Sequence, residues 1–148
     1  MTHSVTHRVT HRVTHSVTHR VIDASVLALG VIGRTADAVH VRQAVTEITC
    51  HAPHLIDAEF GNVLRKRTRA GDITLLQART ALSTANSIVD VRYPHAGNLS
   101  ELAWTLRDNL TFYDALYVAL AVRLDIPLWT GDRRLSRAPG LPCAVELA

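Results

Sequence analysis

Four acidic residues carry the chemistry legible in this 148-residue chain: Asp23, Glu59, Asp114 and Asp132. Asp23 closes the apolar run V-I-D and Asp132 closes P-L-W-T-G-D, each where a strand pattern gives way to a helical one. In an open parallel α/β sheet such junctions collect along the carboxyl edge, where ligands bind. Glu59 stands near the start of one helical segment and Asp114 in the first turn of another. If both helices bring their N-termini to that rim, four carboxylates converge, and such a cluster is unstable unless a divalent cation neutralises it. An all-oxygen ligand set favours a hard ion, Mg²⁺ or Mn²⁺, which keeps several waters and is bound jointly with a substrate phosphate.

Each acid also has an ordinary structural use. Asp23 and Asp132 fit N-cap positions, Thr111 with Asp114 three residues on fits a capping box, and Glu59 complements a helix dipole. Of the competing acids, Asp57 is expected to cap the Glu59 helix, whereas Asp108 and Asp125 fall near helix ends and are expected to be solvated. His40, His51, His54 and His95 are expected in structural or surface roles; Cys50, His51 and His54 lie close together but lack a fourth ligand for a zinc site. Cys50 and Cys143 are far apart in sequence and read as small core residues.

The elements that must position these acids alternate between short β-branched runs and longer helical ones, the pattern of a single α/β domain with a parallel sheet. Strands are predicted at 20–23, 50–56 (as a strand or extended entry), 88–92, 127–130 and 143–147. Helices are predicted from 24, at 36–48, through Glu59 to a stop at Gly71, and at 73–87, 100–106, 112–124 and 133–136. Leu116, Val118, Leu120 and Val122 are expected in the core. No apolar run approaches the roughly 20 residues of a membrane span, and no signal-peptide layout opens the chain, so a cytoplasmic protein is expected.

Ahead of the domain, T-H-x-V occurs five times from Thr2 to Val21. Val and Thr in every copy disfavour helix, so residues 1–19 are expected to be a disordered or extended leader with incidental metal affinity. The net charge of +3 resides in residues 1–20, which hold Arg8, Arg12 and Arg20 and no acid; the remainder balances. Local clusters persist at Arg65, Lys66, Arg67 and Arg69 and at Arg133, Arg134 and Arg137, and either could meet phosphate or simply face solvent.

The segments V-I-D-A-S-V-L, A-P-H-L-I-D-A-E-F-G-N-V-L-R, F-Y-D-A-L-Y-V-A-L-A-V-R-L and I-P-L-W-T-G-D-R-R-L, in this order and spacing, resemble the PIN-domain family, particularly bacterial VapC toxins. The resemblance spans residues 20–148 and implies a three-layer α/β/α domain with a central, mostly parallel sheet. It implies a metal-dependent endoribonuclease whose metal ligands and catalytic residues fall on Asp23, Glu59, Asp114 and Asp132. Ser25, Asn62 and Thr130 match its polar supporting positions. It further implies an RNA substrate such as tRNA or rRNA, a homodimer, and a VapB-type antitoxin that blocks the cleft and represses the shared operon. The five T-H-x-V copies depart from the family pattern, which begins almost at the first strand. Two rivals fit less well. A phosphohydrolase or phosphoacceptor needs a second acid where Ser25 stands, or a lysine near the site, whereas the sole Lys66 lies in an Arg-rich run. A non-catalytic PIN-like module binding RNA or protein would be favoured by loss of one of the four acids, and all four are present.

Overall fold

The computed structural model describes residues 16–148; the earlier copies of the repeat, and most of the expected leader, lie outside the described residues. Five strands, β1 (Thr18–Ile22), β2 (Ile48–Pro53), β3 (Val91–Tyr93), β4 (Leu128–Thr130) and β5 (Val145–Leu147), form one sheet in the order β3-β2-β1-β4-β5. Every pairing is parallel. The chain therefore winds outward from β1 to β2 and β3, then returns to the other side of β1 for β4 and β5. That reversal is the topological switch point, and it lies between β1 and β4, the two strands that end at Asp23 and Asp132.

Among the described residues seven helices connect the strands: α1 (Ala24–Ile32), α2 (Ala36–Ala44), α3 (Leu55–Arg69), α4 (Leu75–Ile88), α5 (Asn98–Trp104), α6 (Phe112–Leu124) and α7 (Arg133–Ser136). α1 to α4 pack as one group and α5 with α6 as another. In α6 every residue from Ala115 to Ala121 is buried, so the helix has no polar face to display and runs through the core. Its alanines let it lie close to β1, β2 and β4. Leu116, Val118 and Leu120 are core, as expected, while Val122 is half-buried. Cys50 is fully buried and Cys143 half-buried, both as free thiols.

Several expected boundaries move for identifiable reasons. The helix expected at 36–48 stops at Ala44, because Ile48 and Thr49 pair with Thr18 and His19 of β1 and open β2 instead. β2 in turn ends at Pro53, which gives up Leu55 and Ile56 to α3. β3 begins at Val91, since Ile88 still belongs to α4. β1 begins at Thr18, so the last T-H-x-V copy belongs to the sheet. Its His19 joins His51 (Nδ1 to Nε2, 2.9 Å), and the other nitrogen of His51 meets the Tyr93 hydroxyl at 2.8 Å. On the opposite face Arg20 lies over the Trp129 ring and reaches Glu146 at 2.6 Å. Among the described residues no single helix is long and apolar enough to cross a membrane.

Candidate active site

Asp23 follows the last residue of β1 and caps α1. Its Oδ1 accepts the backbone N–H groups of Ser25 and Val26, each at 3.1 Å, as the N-cap of α1. The Ser25 hydroxyl donates to the same oxygen and the Thr130 hydroxyl to Oδ2, each at 2.5 Å. Ser25 Oγ also accepts the Gly131 N–H at 2.8 Å, and Thr130 Oγ1 accepts the Asp132 N–H at 3.0 Å. The two strand ends are thus tied together by hydroxyls. A Cβ on Gly131 would stand 3.1 Å from Leu29 Cδ1 and 3.2 Å from Ser25 Oγ, close enough that one of these side chains would have to shift slightly to admit it.

Glu59 enters from α3 and accepts the Tyr117 hydroxyl of α6 at 2.5 Å. Asp114 sits in the first turn of α6, where its own N–H caps onto Thr111 Oγ1 at 3.2 Å. Asp132 caps α7 through the N–H groups of Arg134 (2.8 Å) and Leu135 (3.3 Å). The Arg134 guanidinium spans the last two acids, 3.5 Å from Asp114 and 3.3 Å from Asp132.

The four acids share one electrostatic environment. Burial raises the carboxyl pKa of Asp23 against the lowering effect of its hydroxyl and N–H donors. Burial also raises Glu59, and the charges of Asp114 and Asp23 add to that rise. Asp114 is raised by burial and further by Asp132, with Thr111 and Arg134 opposing. Only Asp132 is held below the usual carboxylate range: burial acts upward on it, but the N–H groups of Leu135 and Arg134 and the Arg134 charge outweigh that effect. Tyr117 is pushed upward by burial and by Glu59, so its hydroxyl stays a proton donor.

Among the described residues no three His, Cys, Asp or Glu side chains are gathered into one ligand sphere. Asp23 and Glu59 instead turn to hydroxyl donors, while Asp114 and Asp132 share the Arg134 guanidinium. The donor set suits a hard divalent cation: it is all oxygen and partly buried, with Glu59 and Asp114 raised by the charges of their neighbours and with Arg134 facing Asp114 and Asp132. An ion that retains waters needs no closed protein cage.

Ser25 and Thr130 therefore support Asp23 directly, whereas Asn62 is exposed on α3 and makes no hydrogen bond to the acids. Asp57 does not cap α3, whose N-cap is His54; it pairs with Arg92 of β3 through two bonds of 2.7 and 2.9 Å. Asp108 and Asp125 are exposed, the latter as the left-handed C-cap of α6. The sequence reading missed Tyr117, although its position three residues after Asp114 puts it on the same helix face. It placed Arg134 in a basic cluster without joining it to the acids. The larger basic run, Arg65 to Arg69, lies at the C-terminal end of α3, where positive charge complements the helix dipole.

Residues 20–141 match the family model described as PIN domain. The chain belongs to the PIN-domain family. Ribonuclease VapC1 of Mycobacterium tuberculosis is 49% identical over 127 residues, covering 86% of this chain and 96% of that relative. PAE2754 from Pyrobaculum aerophilum has a similar structure, with a TM-score of 0.63 and 29% identity over 87% of this chain and 83% of that one. VapBC2 from Rickettsia felis, solved bound to a DNA fragment from their promoter, shares the fold at a TM-score of 0.65 and 12% identity, over 88% and 99%. The α/β fold expected from the sequence is thus that of PIN proteins, with a sheet that is parallel throughout the described residues.

Proposed function

We propose that this PIN protein is an endoribonuclease dependent on Mg²⁺ or Mn²⁺, the toxin of a VapBC-type toxin–antitoxin pair. The observation that carries the reading is the placement of Asp23 and Asp132 at the ends of the adjacent strands β1 and β4, at the switch point of the sheet, with Glu59 and Asp114 near enough for the charges of neighbouring acids to act on them. The 49% identity to a protein named as a ribonuclease supports RNA as the substrate.

The divalent cation would be held by Asp23 and Asp114, with Glu59 and Asp132 directly or through water, and would supply charge neutralisation and activation of water for phosphodiester hydrolysis. Ser25 and Thr130 fix the Asp23 carboxylate so that it need not reorganise when charge arrives. Tyr117 orients Glu59 and, as a persistent donor, keeps that carboxylate from swinging into solvent. Arg134 offers an exposed guanidinium that can exchange its carboxylate partners for a phosphate oxygen. A homodimer, a VapB-type antitoxin and cytoplasmic residence belong to the same reading, the antitoxin supported by the likeness to the VapBC2 complex. Incubation with total RNA containing tRNA and rRNA is expected to give discrete fragments with Mg²⁺ or Mn²⁺ and none in EDTA. Equal RNA patterns in both conditions would contradict it.

A further inference from the structure

The chain has only two Trp, three Tyr and two Phe, so the placement of each aromatic ring is informative. Phe60, Tyr117 and Trp129 are buried and Tyr93 is half-buried. The three that remain are exposed, and they gather at the α5–α6 junction: Trp104 at 60%, Phe112 at 39% and Tyr113 at 61%. Trp104 meets Phe112 edge to face with centroids 6.5 Å apart, and the Arg107 guanidinium lies 5.4 Å over the Trp104 ring. Phe112 and Tyr113 immediately precede Asp114 in the first turn of α6. Leaving large rings in water forgoes the stabilisation their burial would give.

We propose that Trp104, Phe112 and Tyr113 form a stacking platform for unpaired bases of the RNA strand whose backbone reaches Asp114. The proposal rests on the nuclease reading and adds to it the side chains that would hold the bases beside Asp114. The recess beside Asp114 measures about 90 Å³ and is lined by Thr111, Asp114, Arg134 and their neighbours. None of the three exposed rings lines it, so bases stacked on those rings would lie on the surface beside the recess rather than inside it. Aromatic faces hold splayed bases without regard to sequence, and duplex RNA offers them none because its bases are already stacked. Arg107, kept at the platform by Trp104, places a positive charge where the backbone of a stacked strand would pass. Protein interfaces also favour Trp, Tyr and Arg, so the rival occupant is a protein surface, including a second copy of this chain. Direct chain continuity with Asp114 favours the substrate.

The test uses the full chain in Ca²⁺, with labelled single-stranded homopolymers of U and of A and a matched RNA duplex, followed by anisotropy. Trp104→Ala is expected to weaken single-strand binding by about tenfold, and Trp104→Ala with Tyr113→Ala by about a hundredfold, while duplex binding stays unchanged. Trp104→Phe should retain most of the affinity, and single strands but not duplex should quench the exposed Trp104 emission of the wild type. Equal single-strand affinity in wild type and double variant, with RNA still cut, would overturn the platform and leave the nuclease standing. Loss of a wild-type dimer in the double variant by sedimentation velocity, with RNA affinity kept, would overturn it in favour of a self-association face. A wild type that neither binds nor cuts RNA would remove both readings.

Discussion

Asp23 commits both carboxylate oxygens to the protein before any ion arrives, three donors on Oδ1 and one on Oδ2. Such partners fix the orientation of a ligand and commonly contribute 10- to 100-fold, as an order-of-magnitude figure, to metal affinity. Ser25→Ala is therefore expected to weaken Mn²⁺ binding by about that factor, read by calorimetry, with the fold retained. Unchanged affinity would mean that Asp23 is not a ligand. Glu59 makes the opposite contribution to the metal-free protein. Its raised pKa means that the folded chain binds the proton more tightly than the unfolded chain. Stability therefore falls as pH rises from the ordinary carboxylate range through the raised value. Glu59→Gln keeps an oxygen for the Tyr117 hydroxyl and removes the charge. In EDTA at neutral pH it should melt higher than wild type, by on the order of 2–4 °C per kcal/mol relieved, and the gain should vanish in acid. A melting point lowered equally at both pH values would contradict mutual repulsion at the site.

At the scale of elements, the sheet is held by side-chain chains as well as by its ladder. His19, His51 and Tyr93 join β1, β2 and β3 on one face. Burial holds the His51 pKa below its ordinary value, the neighbouring His19 adds to this, and Asp90 opposes it. The stability that neutral His51 provides is present above the unfolded value of about 6.5 and is lost as pH falls below it toward the folded value. This trend is opposite in sign to that of Glu59, so the two separate by substitution. In His51→Gln the fall in melting temperature between about pH 7 and pH 5 should be shallower than in wild type. An unchanged slope would remove His51 from the account. The same elements indicate what periodicity can reveal. α6 and α7 begin and end where the pattern placed them, because Thr111 and Asp132 are strong local caps. The 36–48 segment misled because the β-branched pair Ile48-Thr49 is compatible with either state until β1 pairs with it. Asp57 misled in the same way, since its partner Arg92 lies on another strand. The four acids were legible from strand ends and helix starts. The contacts of Tyr117 with Glu59 and of Arg134 with two acids span elements that no local window joins.

Across the whole molecule, the winding order does the assembling. Because β4 returns beside β1, the ends of two strands distant in sequence become neighbours, and α3 and α6 deliver Glu59 and Asp114 to the same rim. Beyond residue 20 the acidic and basic residues balance, so attraction for an anionic strand has to be local. Arg134 beside the acids and Arg107 at the aromatic junction are placed for that; the basic run on α3 lies at the other end of its helix from Glu59. A concavity of about 450 Å³ between the end of α1 and α4 is lined by Val31, Ile32, Ile73 and Leu76 among others and by no acid, so it is not where hydrolysis would occur. The account as a whole turns on the carboxylates acting through a metal. The most direct test is the cleavage rate of one RNA substrate by wild type and by Asp114→Asn, each with Mg²⁺ or Mn²⁺ and with EDTA. The account predicts cleavage only by wild type with metal, and a folded Asp114→Asn that stays inactive at every metal concentration. Cleavage by the variant at the wild-type rate, or by wild type in EDTA, would contradict it.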